Sequence, residues 1–193
     1  ELRYCGKHRQ QKPKDIQEPH KGEGGRMARG RVRIFVGTGH GKTPAALGLA
    51  LMRASRGGHA VIIQFFRGRG LPDSEFNKKL EPEIKLFRFE KSDIPWAEMS
   101  EEERSREAAN IRNGLNYARK VLDTGESDLL VMDDVLGLID NGIITFEEMG
   151  ELLEHREETD VVLTGTRMDD GLCRFADEIQ EITDCPFCCF EGK

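Results

Sequence analysis

The stretch "RVRIFV" at 31–36 runs directly into "GTGHGKTP" at 37–44, and from there into the helical pattern "AALGLALMRA". A strand, a glycine-rich turn and a helix opening on G-K-T form the context of a phosphate-binding loop. Gly37, Gly39 and Gly41 allow positive φ and bring backbone amides close to an anion, and the helix N-terminus adds amides and a dipole. Lys42 is placed to neutralise phosphate charge, and the Thr43 hydroxyl to take a position on Mg²⁺. Pro44 falls in the first helical turn, where its missing N–H costs little. Thr38 and His40 complete the loop. Against the usual G-x-x-x-x-G-K-[ST] the loop is one residue short, with Val36 at the first-glycine position. A loop so shortened is not expected to cradle a triphosphate as the longer form does.

A second element supports the first. "DLLVMDDV" reads as a buried strand ending in Asp133 and Asp134, and carboxylates at a strand's C-terminal end beside such a loop reach the magnesium on a nucleotide. The expected nucleotide contacts are therefore Gly37, Thr38, Gly39, His40, Gly41, Lys42 and Thr43, with Thr43, Asp133 and Asp134 toward Mg²⁺. These motifs leave the reaction open, since most such proteins hydrolyse or transfer the terminal phosphoryl.

Further strand candidates are "AVIIQFF" at 60–66, "IKLFRF" at 84–89 and "DVVLTG" at 160–165, with a shorter one near "EIQEI". Their solid β-branched character suits strands covered on both faces. Helical patterns fall at 43–56, about 97–123, 145–156 and 168–176. The long one carries Ala108, Ile111, Leu115, Ala118 and Leu122 at spacings of three and four and opens on glutamates, which suit the positive end of its dipole. "TFEE" at 145–148 reads as a capping box. The expected fold is α/β: a P-loop NTPase-like (RecA-type) three-layer sandwich with a mostly parallel sheet.

Residues 1–30 show no apolar period and read as a basic arm, flexible or lid-like, ahead of a single domain over 31–193. The net charge of −6 hides an asymmetry: the arm carries eight Lys/Arg against four Asp/Glu, which leaves about −10 on the rest. A body that acidic argues against tracking nucleic acid. No apolar run approaches the ~18–20 residues of a bilayer span, and no secretory signal is visible, so the expectation is a cytoplasmic protein with no membrane partner. Of five cysteines, Cys185 and Cys188 form a C-x-x-C within "CPFCC". With no second pair to complete a zinc site, reduced thiols are the plain reading.

Beyond its loop, the chain resembles the ATP:corrinoid adenosyltransferases. The resemblance rests on "GTGHGKT" after "RIFV", on "AALGLALMRASRGGHAVIIQFFRG" against that family's A-x-R-A-x-G-x-G and V-x-Q-F-x-K-G, and on "DSEFNKKLEPEIKLFRF", "DIPW", "LLVMDDVLGLIDNGIITFEEMGELLEHREETDVVLTG" and "FADEIQEI". It extends over residues 31–182. It implies that the triphosphate lies reversed in the loop, because the bond made is at the 5′ carbon of the ribose: a Co(I) corrinoid attacks there and triphosphate leaves, in cobalamin biosynthesis or salvage. It further implies a nucleotide contact from Arg53, an apolar corrinoid face at Trp96 and Ile94, a cobalamin or cobyrinic acid a,c-diamide substrate, an electron donor such as a flavodoxin, and a homodimer. Because Co(I) is itself a strong nucleophile, no protein nucleophile or base is needed, and no catalytic side chain is assigned. The protein supplies orientation and charge stabilisation.

Three departures stand out. Ile94 replaces the family's phenylalanine, Thr166 takes the arginine position of T-G-R with Arg167 one place late, and the sequence stops at "CPFCCFEGK" where family members run on. Two other readings stay on the table: a related ATP-binding sensor or corrinoid carrier without turnover, and a P-loop hydrolase or kinase. A hydrolase would release phosphate from ATP, a transferase intact triphosphate only with reduced corrinoid, and a binding module neither.

Overall fold

The computed structural model describes residues 29–66, 75–92, 94–167 and 169–184. Strands β1 (Val32–Val36), β2 (Ala60–Gln64), β3 (Ile84–Arg88), β4 (Leu129–Asp133), β5 (Asp160–Thr164) and β6 (Glu178–Glu181) form one sheet in the order β3-β2-β4-β5-β1-β6. Every neighbouring pair is parallel. The apolar runs behave as runs buried on both sides should, with β2 and β4 buried along their whole length. Helix α1 (Lys42–Ala54) covers one face, its Ala46 and Ala50 packing on Phe35, Ile62, Val131 and Val162. Helices α3 (Glu101–Thr124), α4 (Leu136–Asp140) and α5 (Phe146–Glu154) cover the other, where Ile34, Ile63, Met132 and Leu163 meet Ile111, Leu122, Leu138 and Met149. The three-layer α/β expectation is met, with a sheet that is wholly parallel among the described residues.

Local departures have local causes. The long helix begins at Glu101, not near 97, because Ser100 caps it: its hydroxyl accepts from the Glu103 amide and the Glu103 carboxylate accepts from the Ser100 amide at 2.8 Å. Trp96–Glu98 forms a separate 3₁₀ turn. The capping box expected at "TFEE" is present between Thr145 and Glu148. The helix expected at 168–176 is only a 3₁₀ turn over Asp170–Arg174; the Asp169 carboxylate accepts from the Gly171 amide at 2.7 Å. Such side-chain competition with a glycine close behind disfavours a full helix. The four- and five-residue helices α2 (Glu75–Lys78) and α4 are too short to show a period. The arm up to residue 28, Cys5 and the cysteines of "CPFCC" lie outside the described residues.

Candidate functional site

Parallel strands deliver all their C-terminal ends to one edge, and the motifs meet there. The loop leaves β1 at Gly37, whose φ of 117° is open to glycine and strained for other residues. Its seat is tight: a Cβ at Gly37 would stand 2.3 Å from the Ile182 carbonyl oxygen, and one at Gly39 2.9 Å. The Gly37 amide donates to the Thr166 carbonyl (3.2 Å) and the Gly39 amide to the Ile182 carbonyl (2.9 Å). Two loop amides are thus held by the protein's own backbone, which is how a shortened loop keeps its shape while offering fewer donors to a ligand. Lys42 Nζ donates to the carbonyls of Gly37 (2.6 Å) and Gly39 (2.8 Å), clamping the turn.

Where α3 and α5 close their N-termini with capping boxes and glutamates, α1 does neither. Its N-cap is Gly41 without a side-chain cap, and its first turn holds no acid. First-turn amides have no acceptor within a helix, so this end is prepared for an anion. His40 is exposed at the loop's tip, 3.9 Å from Asp184.

The acids lie two strands away, with β5 between β1 and β4, and α1 bridges the gap. Thr43 Oγ1 donates to the Asp133 carboxylate at 2.9 and 3.0 Å from its two oxygens. Thr164 Oγ1 donates to Asp133 Oδ1 at 2.7 Å, and Gln64 Nε2 to Oδ2 at 3.1 Å. Arg88 Nε in turn donates to Gln64 Oε1 at 2.7 Å. Asp133, only 4% exposed, is therefore held by donors from β2, β5 and α1. Gln64 and Thr164 were missed as site residues in the sequence, although a lone polar residue closing a β-branched run is a visible signal. Nothing local marks Arg88.

Asp134 has a φ of 57°, and its amide donates to the hydroxyl of Thr164 at 2.7 Å. Burial, then the Asp133 charge, push its carboxyl up to about 6, with Lys42 pulling the other way and Asp140 adding to the rise. The folded state therefore holds a proton on Asp134 that the unfolded chain releases near 3.8. Ionising this group costs stability progressively as pH rises from about 4 through 6, and the cost is complete above that. In metal-free, nucleotide-free protein, Asp134→Asn is expected to melt several degrees above wild type at pH 8 and level with it at pH 4, since Asn also tolerates positive φ. Melting curves with the same offset at both pH values would show that Asp134 does not carry this charge.

The remaining assignments separate. Trp96 is half-buried, with its ring edge-on to Phe66 at 6.2 Å and 71°. Phe66 lies over Gly137, where a Cβ would come within 2.9 Å of its ring, and the Gly137 amide donates to the Asp134 carbonyl at 3.2 Å. An apolar wall thus runs from Trp96 to the acid pair, with Ile94 41% exposed nearby in sequence. Thr166 meets the loop through its carbonyl, while the exposed Arg167 lies close enough for its charge to offset part of the upward shift that burial gives the Asp140 carboxyl. Arg53 is not brought to the loop: eleven residues along α1 place it about 16 Å away by helical rise, where it pairs with Asp160 at the start of β5.

Among the described residues no group of three or more His, Cys, Asp or Glu is arranged to hold a metal. The all-oxygen set of Thr43, Asp133 and Asp134 fits Mg²⁺, which takes few protein ligands and keeps waters and phosphate oxygens. No described helix is long and apolar enough to cross a membrane.

Residues 28–188 match the family described as ATP:corrinoid adenosyltransferase BtuR/CobO/CobP. The corrinoid adenosyltransferase of Escherichia coli strain K12 is 26% identical over 155 residues, covering 80% of this chain and 76% of that protein. The corrinoid adenosyltransferase CobA of Salmonella typhimurium strain LT2 is 26% identical over 175 residues, covering 90% and 86%.

Proposed function

Because the chain belongs to the ATP:corrinoid adenosyltransferase family, we propose that it transfers the 5′-deoxyadenosyl group of ATP to the cobalt of a reduced corrinoid, releasing triphosphate. The Co(I) electron pair attacks C5′ of the ribose, a cobalt–carbon bond forms, and the C5′–O5′ bond breaks with its electrons leaving on the triphosphate. Cobalt ends formally as Co(III). One observation carries the reading: the phosphate loop with its Thr43–Asp133 contact adjoins the apolar Trp96–Phe66 wall, through Gly137 and Asp134. A charged pocket for a leaving polyanion beside an apolar wall suits displacement at carbon.

In this mechanism Lys42 and the first-turn amides of α1 take up charge as it develops on the leaving group. Lys42 exchanges the Gly37 and Gly39 carbonyls for phosphate oxygens. A magnesium ion arriving with ATP would add charge neutralisation there, held by Thr43, Asp133 and Asp134. Trp96, Phe66 and Ile94 present an apolar surface to one corrin face and exclude water from the cobalt. The substrate is cobalamin or cobyrinic acid a,c-diamide, reduced by an electron donor such as a flavodoxin, and the protein acts as a cytoplasmic homodimer.

Anaerobic incubation with ATP, Mg²⁺ and chemically reduced cobalamin tests the reaction. The expected result is a cobalt–carbon absorption spectrum with one intact triphosphate released per turnover. Orthophosphate release without corrinoid, or ATP binding with no cobalt–carbon product, would replace the reading with a hydrolase or a binding protein. Trp96→Ala is expected to leave ATP affinity unchanged and to slow adenosylation at least tenfold when Co(II) must be reduced on the protein, with a smaller penalty from preformed Co(I). An equal penalty from both starting states would remove Trp96 from the corrinoid face.

A further inference from the structure

At the end of the sheet away from the phosphate loop, α1 and the start of β1 enclose a cavity of about 280 Å³. Four arginines line it. Arg31 and Arg33 occupy alternate positions and so lie on one side of their strand, the side on which Phe35 packs beneath α1. Arg53 belongs to the last turn of α1, and Arg56 stands just beyond the C-cap Ser55. The floor includes the buried side chains of Leu129 and Val162.

The single acid of the lining is already engaged. Asp160 pairs with Arg53 and accepts from the Arg31 amide at 2.9 Å. Arg33 reaches Glu178 at 2.8 Å. No ion pair within 4 Å holds the guanidinium of Arg31 or Arg56 among the described residues, although Glu178, the partner of Arg33, also feels the Arg31 charge, which helps hold its carboxyl low. A basic concentration of this kind is anomalous in a body whose charge beyond residue 30 is about −10. The α1 C-terminus favours cations, which accounts for Arg53 and Arg56 but not for two more from β1. Guanidiniums converging from two elements present several planar forks, a geometry that serves the many oxygens of a phosphate chain better than one carboxylate. The apolar floor lowers the local dielectric and strengthens each contact.

We propose that this cavity is a second anion site, which takes the polyphosphate group of a small molecule, free or carried by a nucleoside. Calorimetric titration of the full chain with inorganic triphosphate at low ionic strength tests it. Wild type is expected to bind at two sites. Lys42→Ala silences the loop and leaves one, and adding Arg31→Ala with Arg56→Ala weakens that remaining binding at least tenfold. The arginine pair changed alone keeps ATP binding at the loop, which shows that the chain is folded. Triphosphate binding that vanishes with Lys42→Ala, or that ignores the arginine pair, overturns the proposal. Repeating the titration with ATP separates the sources: tighter binding than triphosphate means a nucleotide, equal or weaker binding a free polyphosphate. The adenosyl-transfer assay reads independently of all these titrations.

Discussion

Lys42→Ala is expected to lower ATP affinity by about 10- to 150-fold, the equivalent of losing a charge-assisted contact of about 1.5–3 kcal/mol. The structure makes this more than a loss of charge. In the ligand-free protein the ammonium bridges the Gly37 and Gly39 carbonyls, so it both shapes the turn and stands ready for phosphate. Lys42→Arg is expected to rescue little, because a planar guanidinium does not fit where a compact ammonium meets two converging carbonyls. Titration calorimetry with ATP, alongside thermal melts, separates lost binding from lost folding. ATP affinity within twofold of wild type in a folded Lys42→Ala protein would place the phosphates elsewhere.

The second large effect lies at Asp133. Its carboxylate accepts from the buried Thr164 and Gln64 and from the half-buried Thr43, so Asp133→Leu leaves three donors without their acceptor. A loss of about 3 kcal/mol in unfolding free energy is expected, from buried donors left without acceptors. Asp133→Asn turns an N–H₂ group toward at least one of those donors and is expected to lose part of that amount. Gln64→Leu removes one donor and spares the carboxylate, so its expected signature differs: near-normal stability, but several-fold weaker Mn²⁺ binding in the presence of a non-hydrolysable ATP analogue, read by electron paramagnetic resonance. Mn²⁺ affinity unchanged in Gln64→Leu would mean that Asp133 needs no such orientation.

The architecture was legible because its signals are local and repeated. The β-branched runs, the G-K-T after the first of them and the acid pair after the fourth all survive as strands, loop and site edge. What escaped was long-range. Gln64 and Thr164 belong to the site only because β2 and β5 flank β4, an order that no single run of residues records. The fourth helical pattern failed because Asp169 and Gly171 favour a local turn whose energy outweighs a weak periodicity.

The seat of the phosphate loop has a consequence for how the chain matures. Residues 37–41 are made early, yet their glycines rest on Ile182, and Val32 at the root of the same strand donates to Asp177, 145 residues further along. Parallel pairing across such separations is slow to form, and synthesis proceeds from the N-terminus at about 5–20 residues per second. A nascent chain that has not yet emerged past β6 can hold most of its apolar core while its loop lacks half the frame that shapes it. Competence to capture a nucleotide therefore waits on β6, the last strand among the described residues, and marks the point at which synthesis has passed it.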